Sequence, residues 1–436
     1  MRIEDCIARH SEEEPHRAVV IDAEGSHTYA DLYVDIQQCT RELSSGGVSV
    51  LPLRATPTYE FIVRYLASHV AGRVAVPLGK DLPKEQFLSC VQRLSRGSFP
   101  EGTADVLFTT GTTGRPKGVM LSHEALMANA ENLIEAQGYC PGLTFIVTGP
   151  LSHIGSLSKV HASLAAGATV RLLDGLRDMN AFFDCIERSP QRVATFQVPS
   201  SLRMLLSLGS GRLKANAGKI SFIETGAAPM AESDMRRLCE LLPGTRLYNT
   251  YASTEAGIIS TYDYNSLPLL PACLGKPMRH SGFSVTAEGA VLCTGSTLMT
   301  GYWQDEALTR EVLKGGTLLT SDLGCVDEEG RLRLVGREGN VVNVGGLKVA
   351  PEEVEEAMAS VTGIADCVCL GVRHPLMGQA LKLLLVAGEG DRPTPAEIAR
   401  QLRTRLEAYK VPQLYEYVSH IERTPNGKIN RSAYKS

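Results

Sequence analysis

Short runs rich in β-branched and aromatic residues alternate with helical patterns over most of this chain, and this alternation constrains its fold most strongly. In His123–Gln137, for example, Leu126 and Leu133 fall on one helical face. Such alternation predicts an α/β fold in which helices cover layered, mostly parallel sheets. The predicted strands are 106–109, 144–148, 169–173, 193–197, 219–223 and 246–248, and a second helix spans 231–242.

The pattern changes after residue 335, where a smaller α+β module begins. Pro351 opens a helix there, with acidic residues in its first turn. The polar, glycine-flanked stretch 336–340 is typical of a hinge. We therefore expect a large N-terminal domain at 1–335, which binds the substrates, and a small mobile domain at 340–436. The small domain is predicted to contain strands 365–372, 380–387 and 414–420 and a second helix at 395–408.

Composition is that of an ordinary globular protein, with 43% hydrophobic and 21% charged residues. This excludes disordered, collagenous and coiled-coil proteins, and a net charge of −4 gives no reason to expect nucleic-acid binding. The 11 cysteines have no zinc-type spacing and favour a reducing compartment. The N-terminus has no apolar signal segment, and charged residues interrupt the apolar stretch 61–78. We expect a cytoplasmic protein without stable membrane insertion.

The most informative segment is a threonine- and glycine-rich loop that follows the predicted strand 106–109. Glycines allow backbone N–H groups to point into one concavity, threonine hydroxyls add donors, and Lys117 adds positive charge, so the loop can cradle a polyphosphate. It is not a Walker loop, because Pro116 precedes Lys117 and Gly118 follows it. The candidate phosphate-binding residues are Thr109, Thr110, Gly111, Thr112, Thr113, Gly114 and Lys117.

This loop, Thr-Thr-Gly-Thr-Thr-Gly-Arg-Pro-Lys-Gly, resembles the phosphate-loop signature of the adenylate-forming superfamily of acyl- and aryl-CoA synthetases, adenylation domains and beetle luciferases. Further family motifs follow in the family's order, so the resemblance covers nearly the whole chain. It implies that Thr254 meets the α-phosphate of ATP, that Glu255 holds Mg²⁺, and that Lys428 is the lysine of the adenylation step. The remaining nucleotide-binding residues that it implies are Gly226, Ala227, Ala228, Asn249, Tyr251 and Ala252 around adenine, and Asp322 and Arg337 at the ribose.

The resemblance also suggests residues for the acid and for the thiol. His153 aligns with an aromatic or histidine position at the mouth of the acyl pocket, where it would act as a gate. Gly345 and Gly346 fit the segment that lines a pantetheine tunnel, because a side chain there would block a narrow thiol arm. Small apolar residues at 162–167 and 198–202 favour a hydrophobic acid, as in fatty acid metabolism.

Several positions depart from the family pattern. Ala252 and Ser321 replace glycines of two motifs, Asn343 replaces a lysine, and Gly339 replaces a charged hinge residue. Only about 25 residues separate Leu78 from the phosphate loop, fewer than is usual in the family. None of these changes removes a group with a predicted chemical role.

The implied reaction has two steps. A small carboxylic acid, not an amino acid, attacks ATP to give an acyl-adenylate, and a thiol then displaces AMP. The implied cofactors are ATP, Mg²⁺ and coenzyme A. Alternatives are an adenylation enzyme that loads the pantetheine arm of an acyl carrier protein, and a nucleotide-binding homologue without catalysis. A homodimer is possible, and the compact length also resembles o-succinylbenzoate–CoA ligases.

Overall fold

The structure is a computed structural model that describes residues 1–45, 49–109, 116–344, 347–374, 378–388, 390–424 and 427–434. Its helices are α1 (Ile3–Glu13), α2 (Tyr29–Ser44), α3 (Tyr59–Val70), α4 (Lys84–Ser95), α5 (His123–Gln137), α6 (Ile154–Ala165), α7 (Met179–Arg188), α8 (Pro199–Leu208), α9 (Ser210–Ala215), α10 (Glu232–Leu241), α11 (Glu306–Val312), α12 (Pro351–Met358) and α13 (Pro395–Leu402).

The strands are β1 (Ala18–Ile21), β2 (Ser26–Thr28), β3 (Val50–Arg54), β4 (Val74–Leu78), β5 (Thr103–Thr109), β6 (Lys117–Ser122), β7 (Leu143–Val147), β8 (Thr169–Leu172), β9 (Arg192–Gln197), β10 (Ile220–Gly226), β11 (Arg246–Ser253), β12 (Gly257–Asp263), β13 (Cys273–Pro277), β14 (Ser281–Val285), β15 (Ala290–Gly295), β16 (Gly301–Tyr302), β17 (Leu313–Lys314), β18 (Thr317–Val326), β19 (Leu332–Arg337), β20 (Val342–Val344), β21 (Leu347–Val349), β22 (Ile364–His374), β23 (Gly378–Ala387) and β24 (Leu414–Tyr417).

These strands form three sheets. The largest has 14 strands in the order β14-β15-β18-β19-β13-β12-β11-β10-β9-β7-β8-β1-β2, with β17 beside β18. A second sheet has the order β16-β6-β5-β4-β3, and a third, formed after residue 340, has the order β21-β20-β23-β22 with β24 beside β23. The third sheet packs with α12 and α13 around a core of its own that includes Val354, Leu383 and Ile398.

The predicted α/β fold is confirmed, and parallel pairs occupy one half of the large sheet and strands β3, β4 and β5 of the second sheet. Strands β1, β8, β7, β9, β10 and β11 pair in parallel. From β11 onward the pairs are antiparallel. The turn from β11 to β12 spans only residues 254–256, which is too short for the crossover that a parallel pair needs.

Helix α5 has the predicted bounds, and Ser122 caps it by accepting a hydrogen bond from the Ala125 amide. The predicted helix 395–408 was too long, because the chain leaves the helix after Leu402. The predicted strand 246–248 was too short, since β11 continues to Ser253. No helix in the described ranges is long and apolar enough to cross a bilayer.

A buried polar cluster connects α1, α3, β5 and α6. His69 lies between two carboxylates, with Nδ1 2.8 Å from Glu4 and Nε2 2.9 Å from Asp105. Tyr65 donates to Asp105 at 2.7 Å and lies 2.8 Å from His161. Burial alone would lower the pKa of His69, but the hydrogen bonds to Asp105 and Glu4 outweigh burial and raise it to about 10. The cluster thereby joins the strand that precedes the phosphate loop to the helix that follows His153.

Candidate active site

The predicted phosphate loop joins the antiparallel strands β5 and β6. Thr109 and Lys117 are register partners at the ends of these strands, so the structure brings the two flanks of the loop together. Both side chains are partly exposed. The loop residues Thr110, Gly111, Thr112, Thr113 and Gly114 lie outside the described residues, and so do Gly345 and Gly346 of the predicted pantetheine tunnel.

Tyr302 connects the phosphate loop to the predicted magnesium ligand. Strand β16 pairs with β6, which places the Tyr302 ring centroid 5.3 Å from Lys117 Nζ. The Tyr302 hydroxyl donates to Glu255 Oε1 at 3.0 Å. Burial and the Glu255 charge raise the pKa of Tyr302, so its phenol keeps the proton that it donates. The sequence analysis missed Tyr302, whose only local signal is its place after a glycine.

Thr254 and Glu255 lie in the tight turn between β11 and β12. The turn is closed by Ser253, whose hydroxyl accepts a hydrogen bond from the Ala256 amide at 2.9 Å. Gly257 then has φ +78°, and a Cβ there would lie 2.5 Å from the side chain of Asn129. This turn holds both predicted residues, half-buried, near the carboxyl ends of the parallel strands, where ligands bind in open α/β sheets.

The predicted ribose site is a buried carboxylate with two donors. Asp322 is 5% exposed, and it accepts from the Tyr251 hydroxyl at 2.8 Å and from Arg337 Nε at 2.6 Å. Asp322 and Arg337 are register partners in β18 and β19, so the sheet fixes the pair. Burial and Asp322 raise the pKa of Tyr251. The predicted adenine and ribose residues Tyr251, Asp322 and Arg337 are thus brought into contact.

The predicted adenine turn follows the end of β10. Gly226 is buried, and a Cβ there would lie 2.8 Å from the Thr250 carbonyl oxygen, so only glycine fits. Ala227 has φ +69°, a conformation that an alanine rarely adopts and that is concentrated at ligand sites. Ala228 follows and lines the cleft that also contains Lys428.

The predicted adenine-site residues Asn249 and Ala252 both lie on strand β11. The Asn249 side chain donates to the Cys273 carbonyl at 3.1 Å, so it fastens β11 to β13. Asn249 shares a face of β11 with Tyr251, two residues on, whereas Ala252 is on the opposite face and half-buried. The structure therefore gives Asn249 a backbone partner within the sheet.

Lys428 lies in a cleft of about 150 Å³ between the adenine turn and the third sheet. Its side chain keeps an exposed surface, but the protein around it desolvates the ammonium group. Desolvation and the nearby Arg337 charge lower the pKa of Lys428, while Asp322 and Glu255 oppose that shift. The structure therefore places Lys428 near three other predicted site residues, which are more than 90 positions away in sequence.

His153 lies near Lys428. It is the residue before α6, so it lies where the loop from β7 becomes a helix. Burial, followed by the charge of Lys428, lowers the pKa of His153 to about 4. The imidazole is therefore neutral at pH 7 and lies close to the predicted adenylation lysine.

Two arginines hold the segment that carries Lys428. Arg431 donates to both carboxylate oxygens of Glu355, at 2.8 and 2.7 Å, and to the Cys369 carbonyl at 2.7 Å. Arg423 donates to Asp366 at 2.7 Å. Burial raises the pKa of Glu355 to about 7 although Arg431 opposes it. The sequence analysis missed these arginines, because their partners are distant in sequence.

Comparisons with known proteins show the family of this chain. Residues 97–303 match the family model described as AMP-binding enzyme, and residues 353–428 match that of the AMP-binding enzyme C-terminal domain. The indoleacetate–CoA ligase of Aromatoleum aromaticum is 30% identical over 76% of this chain and 66% of that protein. The feruloyl-CoA synthase of an Amycolatopsis species is 28% identical over 90% of this chain and 80% of that protein.

Solved structures share the whole fold. The ATP-bound MatB of Rhodopseudomonas palustris superposes with a TM-score of 0.89 at 22% identity, over 100% of this chain and 98% of that one. At this identity the likeness establishes the fold alone. Both family models match in order, and the relatives are named CoA ligases and synthetases. The chain belongs to the family of AMP-binding enzymes, as an AMP-forming acyl-CoA ligase.

Proposed function

We propose that this ligase forms its acyl-adenylate beside Lys428, where the charges of Asp322, Arg337 and Glu255 converge. The observation that carries the proposal is this convergence, since the charges of all three residues act on Lys428. We also propose that residues 1–335 form the substrate-binding domain and that residues 340–436 form a mobile domain. The separate sheet and core after residue 340 support this division.

In the first step a carboxylate oxygen of the acid attacks the α-phosphorus of ATP, and the bond from that phosphorus to pyrophosphate breaks. Charge builds up on the α-phosphate and on the departing pyrophosphate, so catalysis depends on positioning and charge stabilisation. Lys428 provides a cation for the carboxylate and α-phosphate, and Lys117 provides one for the pyrophosphate. No side chain becomes a covalent nucleophile.

Glu255 fits a magnesium ion, because carboxylate oxygens are hard ligands and Tyr302 holds one of them in place. When bound, the ion neutralises phosphate charge. Asp322 would accept hydrogen bonds from the ribose hydroxyls, and Tyr251 and Gly226 would border the adenine ring. Gly226 leaves room for a flat base beside the backbone.

In the second step a thiolate attacks the acyl carbonyl carbon, and AMP leaves with the electron pair of the broken C–O bond. Lys428 must withdraw to admit the thiol, which a rotation about the hinge at 336–340 would accomplish. Coenzyme A is the acceptor that we propose, supported by the relatives named as CoA ligases, and a carrier-protein pantetheine is the second candidate. His153, neutral and at the start of α6, can move as a gate without leaving a buried charge unpaired.

The test is carboxylate-dependent exchange of pyrophosphate into ATP, measured over fatty, aromatic and amino acids. Lys428→Ala should lower this exchange roughly 100-fold or more while sparing thioester formation from supplied acyl-adenylate. Lys382→Ala is the control, because that lysine pairs with Glu416 in the third sheet. Equal loss of both half-reactions would show that Lys428 has another role. ATP binding without exchange for any acid would indicate a non-catalytic homologue.

A further inference from the structure

A buried ion pair lies behind the proposed reaction centre. Lys159 Nζ is 2.8 Å from Glu224 Oε1, and both side chains are only 1% exposed. Lys159 is on α6, which begins directly after His153. Glu224 is on β10, two residues before Gly226, and two residues of a strand span about 6.6 Å. The pair therefore lies about 6.6 Å along β10 from Gly226, where the adenine turn begins.

Phe196 lies beside this pair, on the neighbouring strand β9. Phe196 and Glu224 are register partners in β9 and β10, so their side chains share one face of the sheet. The positions on either side of the Phe196 ring are glycines. A Cβ at Gly155 would lie 3.5 Å from the ring, and one at Gly226 would lie 3.6 Å from it. The two glycines place no side chain against the ring at these positions, as the wall of a pocket for a planar acyl group requires.

Glu224 has an unused acceptor on the same face of the sheet as Phe196. Its Oε2 is buried and has no hydrogen-bond partner among the described residues, and neither has the nearby Tyr139 hydroxyl. A buried carboxylate oxygen without a donor is costly, so such an atom indicates a ligand group or a bound water. Lys159 already balances the Glu224 charge, and Lys159 also lies 5.4 Å from the Phe196 ring centroid.

We infer that the Lys159–Glu224 pair forms the inner wall of the acyl pocket and that the natural acid is aromatic, with a neutral hydrogen-bond donor on its ring. A phenolic hydroxyl or a ring N–H suits Glu224 Oε2. An ammonium group would add a second buried cation, and a second carboxylate would be repelled by Glu224. This inference depends on the proposed function, because it places the carboxylate of the acid beside Lys428.

The first experiment uses the wild-type enzyme and four acids with one skeleton: 4-hydroxycinnamate, cinnamate, 4-methoxycinnamate and 4-carboxycinnamate. Pyrophosphate exchange should give a kcat/KM at least about 10-fold higher for the hydroxylated acid than for the other three, since a site with a buried acceptor rejects analogues that lack the donor. Equal kcat/KM for the hydroxylated and unsubstituted acids would overturn the inference and assign Glu224 Oε2 to a bound water.

The second experiment removes the pair. The double variant Lys159→Met/Glu224→Leu should fold, because apolar residues often replace a buried ion pair without loss of stability. It should retain ATP affinity and lose the preference for the hydroxylated acid. Lys382→Met/Glu416→Leu removes a pair in the third sheet and should keep the wild-type preference.

A double variant that binds ATP and keeps the preference would overturn the assignment of Glu224. If this variant does not fold, the wild-type comparison still decides the inference. If the enzyme catalyses pyrophosphate exchange with some acids but does not prefer the hydroxylated acid, only the inference about the acyl pocket is contradicted. The absence of exchange with every acid would overturn the proposed function as well, so the two failures are distinguishable.

Discussion

At the residue scale, Gly226 is a position of the candidate site where the backbone leaves no room for a side chain. Gly226→Ala would place a Cβ 2.8 Å from the Thr250 carbonyl oxygen, so the adenine turn must shift. We expect ATP affinity to fall at least about 10-fold and the free energy of unfolding to fall by about 1–3 kcal/mol. Gly244→Ala is the control, because among the described residues no atom beyond Gly244 and its chain neighbours lies within 4 Å of its Cβ position. Calorimetric titration with ATP and urea unfolding measure the two effects, and equal behaviour of the two variants would contradict this account.

The residues of the site differ in how much the sequence reveals about them. Lys117, Asp322 and Lys428 stand in ordered motifs, so the sequence indicates their roles before any fold is known. Tyr302 and Glu224 stand in no such motif. Their importance arises from partners that are 47 and 65 positions away, and sequence spacing carries no information about such contacts.

At the scale of elements, Glu355 of α12 binds Arg431 and thereby positions the segment that carries Lys428. Arg431→Ala would remove the two hydrogen bonds to that carboxylate and leave it buried without its cation. We expect acid-dependent exchange to fall roughly 10- to 100-fold, with a smaller loss in thiol transfer from supplied acyl-adenylate. Arg431→Lys should restore part of the exchange, because it keeps the charge but not the paired geometry. A parallel fall in both half-reactions would indicate a purely structural role.

The buried cluster of α1, α3 and β5 predicts a pH-dependent stability. The raised pKa of His69 stabilises the fold fully below about pH 6.5, decreasingly between pH 6.5 and 10, and not above pH 10. His69→Gln removes this contribution and leaves Glu4 and Asp105 without their cation. The difference in unfolding free energy between wild type and variant should therefore shrink by about 1.4 kcal/mol per unit from pH 7 to 9.

Urea unfolding at several pH values tests this prediction. His420→Gln is the matched control, since the His420 side chain is 68% exposed and lies far from the cluster in sequence. A difference between wild type and His69→Gln that stays constant with pH would show that His69 is neutral in the folded protein.

Among the elements, those defined by local patterns were predictable and those defined by pairing were not. The periodicity and cap of α5 fixed its bounds, and the parallel strands β7 and β9 were recognisable as short, mostly buried runs that contain β-branched and aromatic residues. The antiparallel strands β14 and β15 have only five and six residues and are partly exposed, so no single run distinguishes them from loops. Their order depends on contacts across the large sheet.

At the scale of the whole molecule, Lys428 lies at the proposed adenylation site, so in the proposed mechanism thiol transfer requires the proposed small domain to move. Ser200 and Gly427 meet across the cleft, where a Cβ at 427 would lie 3.0 Å from the Ser200 hydroxyl. The double variant Ser200→Cys/Gly427→Cys should therefore form a disulfide that joins the two domains, although φ +77° at 427 costs a side chain about 1–2 kcal/mol.

The oxidised double variant should retain pyrophosphate exchange and lose most thioester formation, because the disulfide keeps the lysine in place and excludes the thiol. Reduction should restore the thioester, and the reduced protein also controls for backbone strain at 427. Ser200→Cys alone should respond little to oxidation. Both half-reactions are measured on the same oxidised sample, after mass spectrometry has confirmed the disulfide. If thioester formation continued at the wild-type rate in that sample, both steps would proceed in one arrangement of the domains, and the proposed rotation would be wrong.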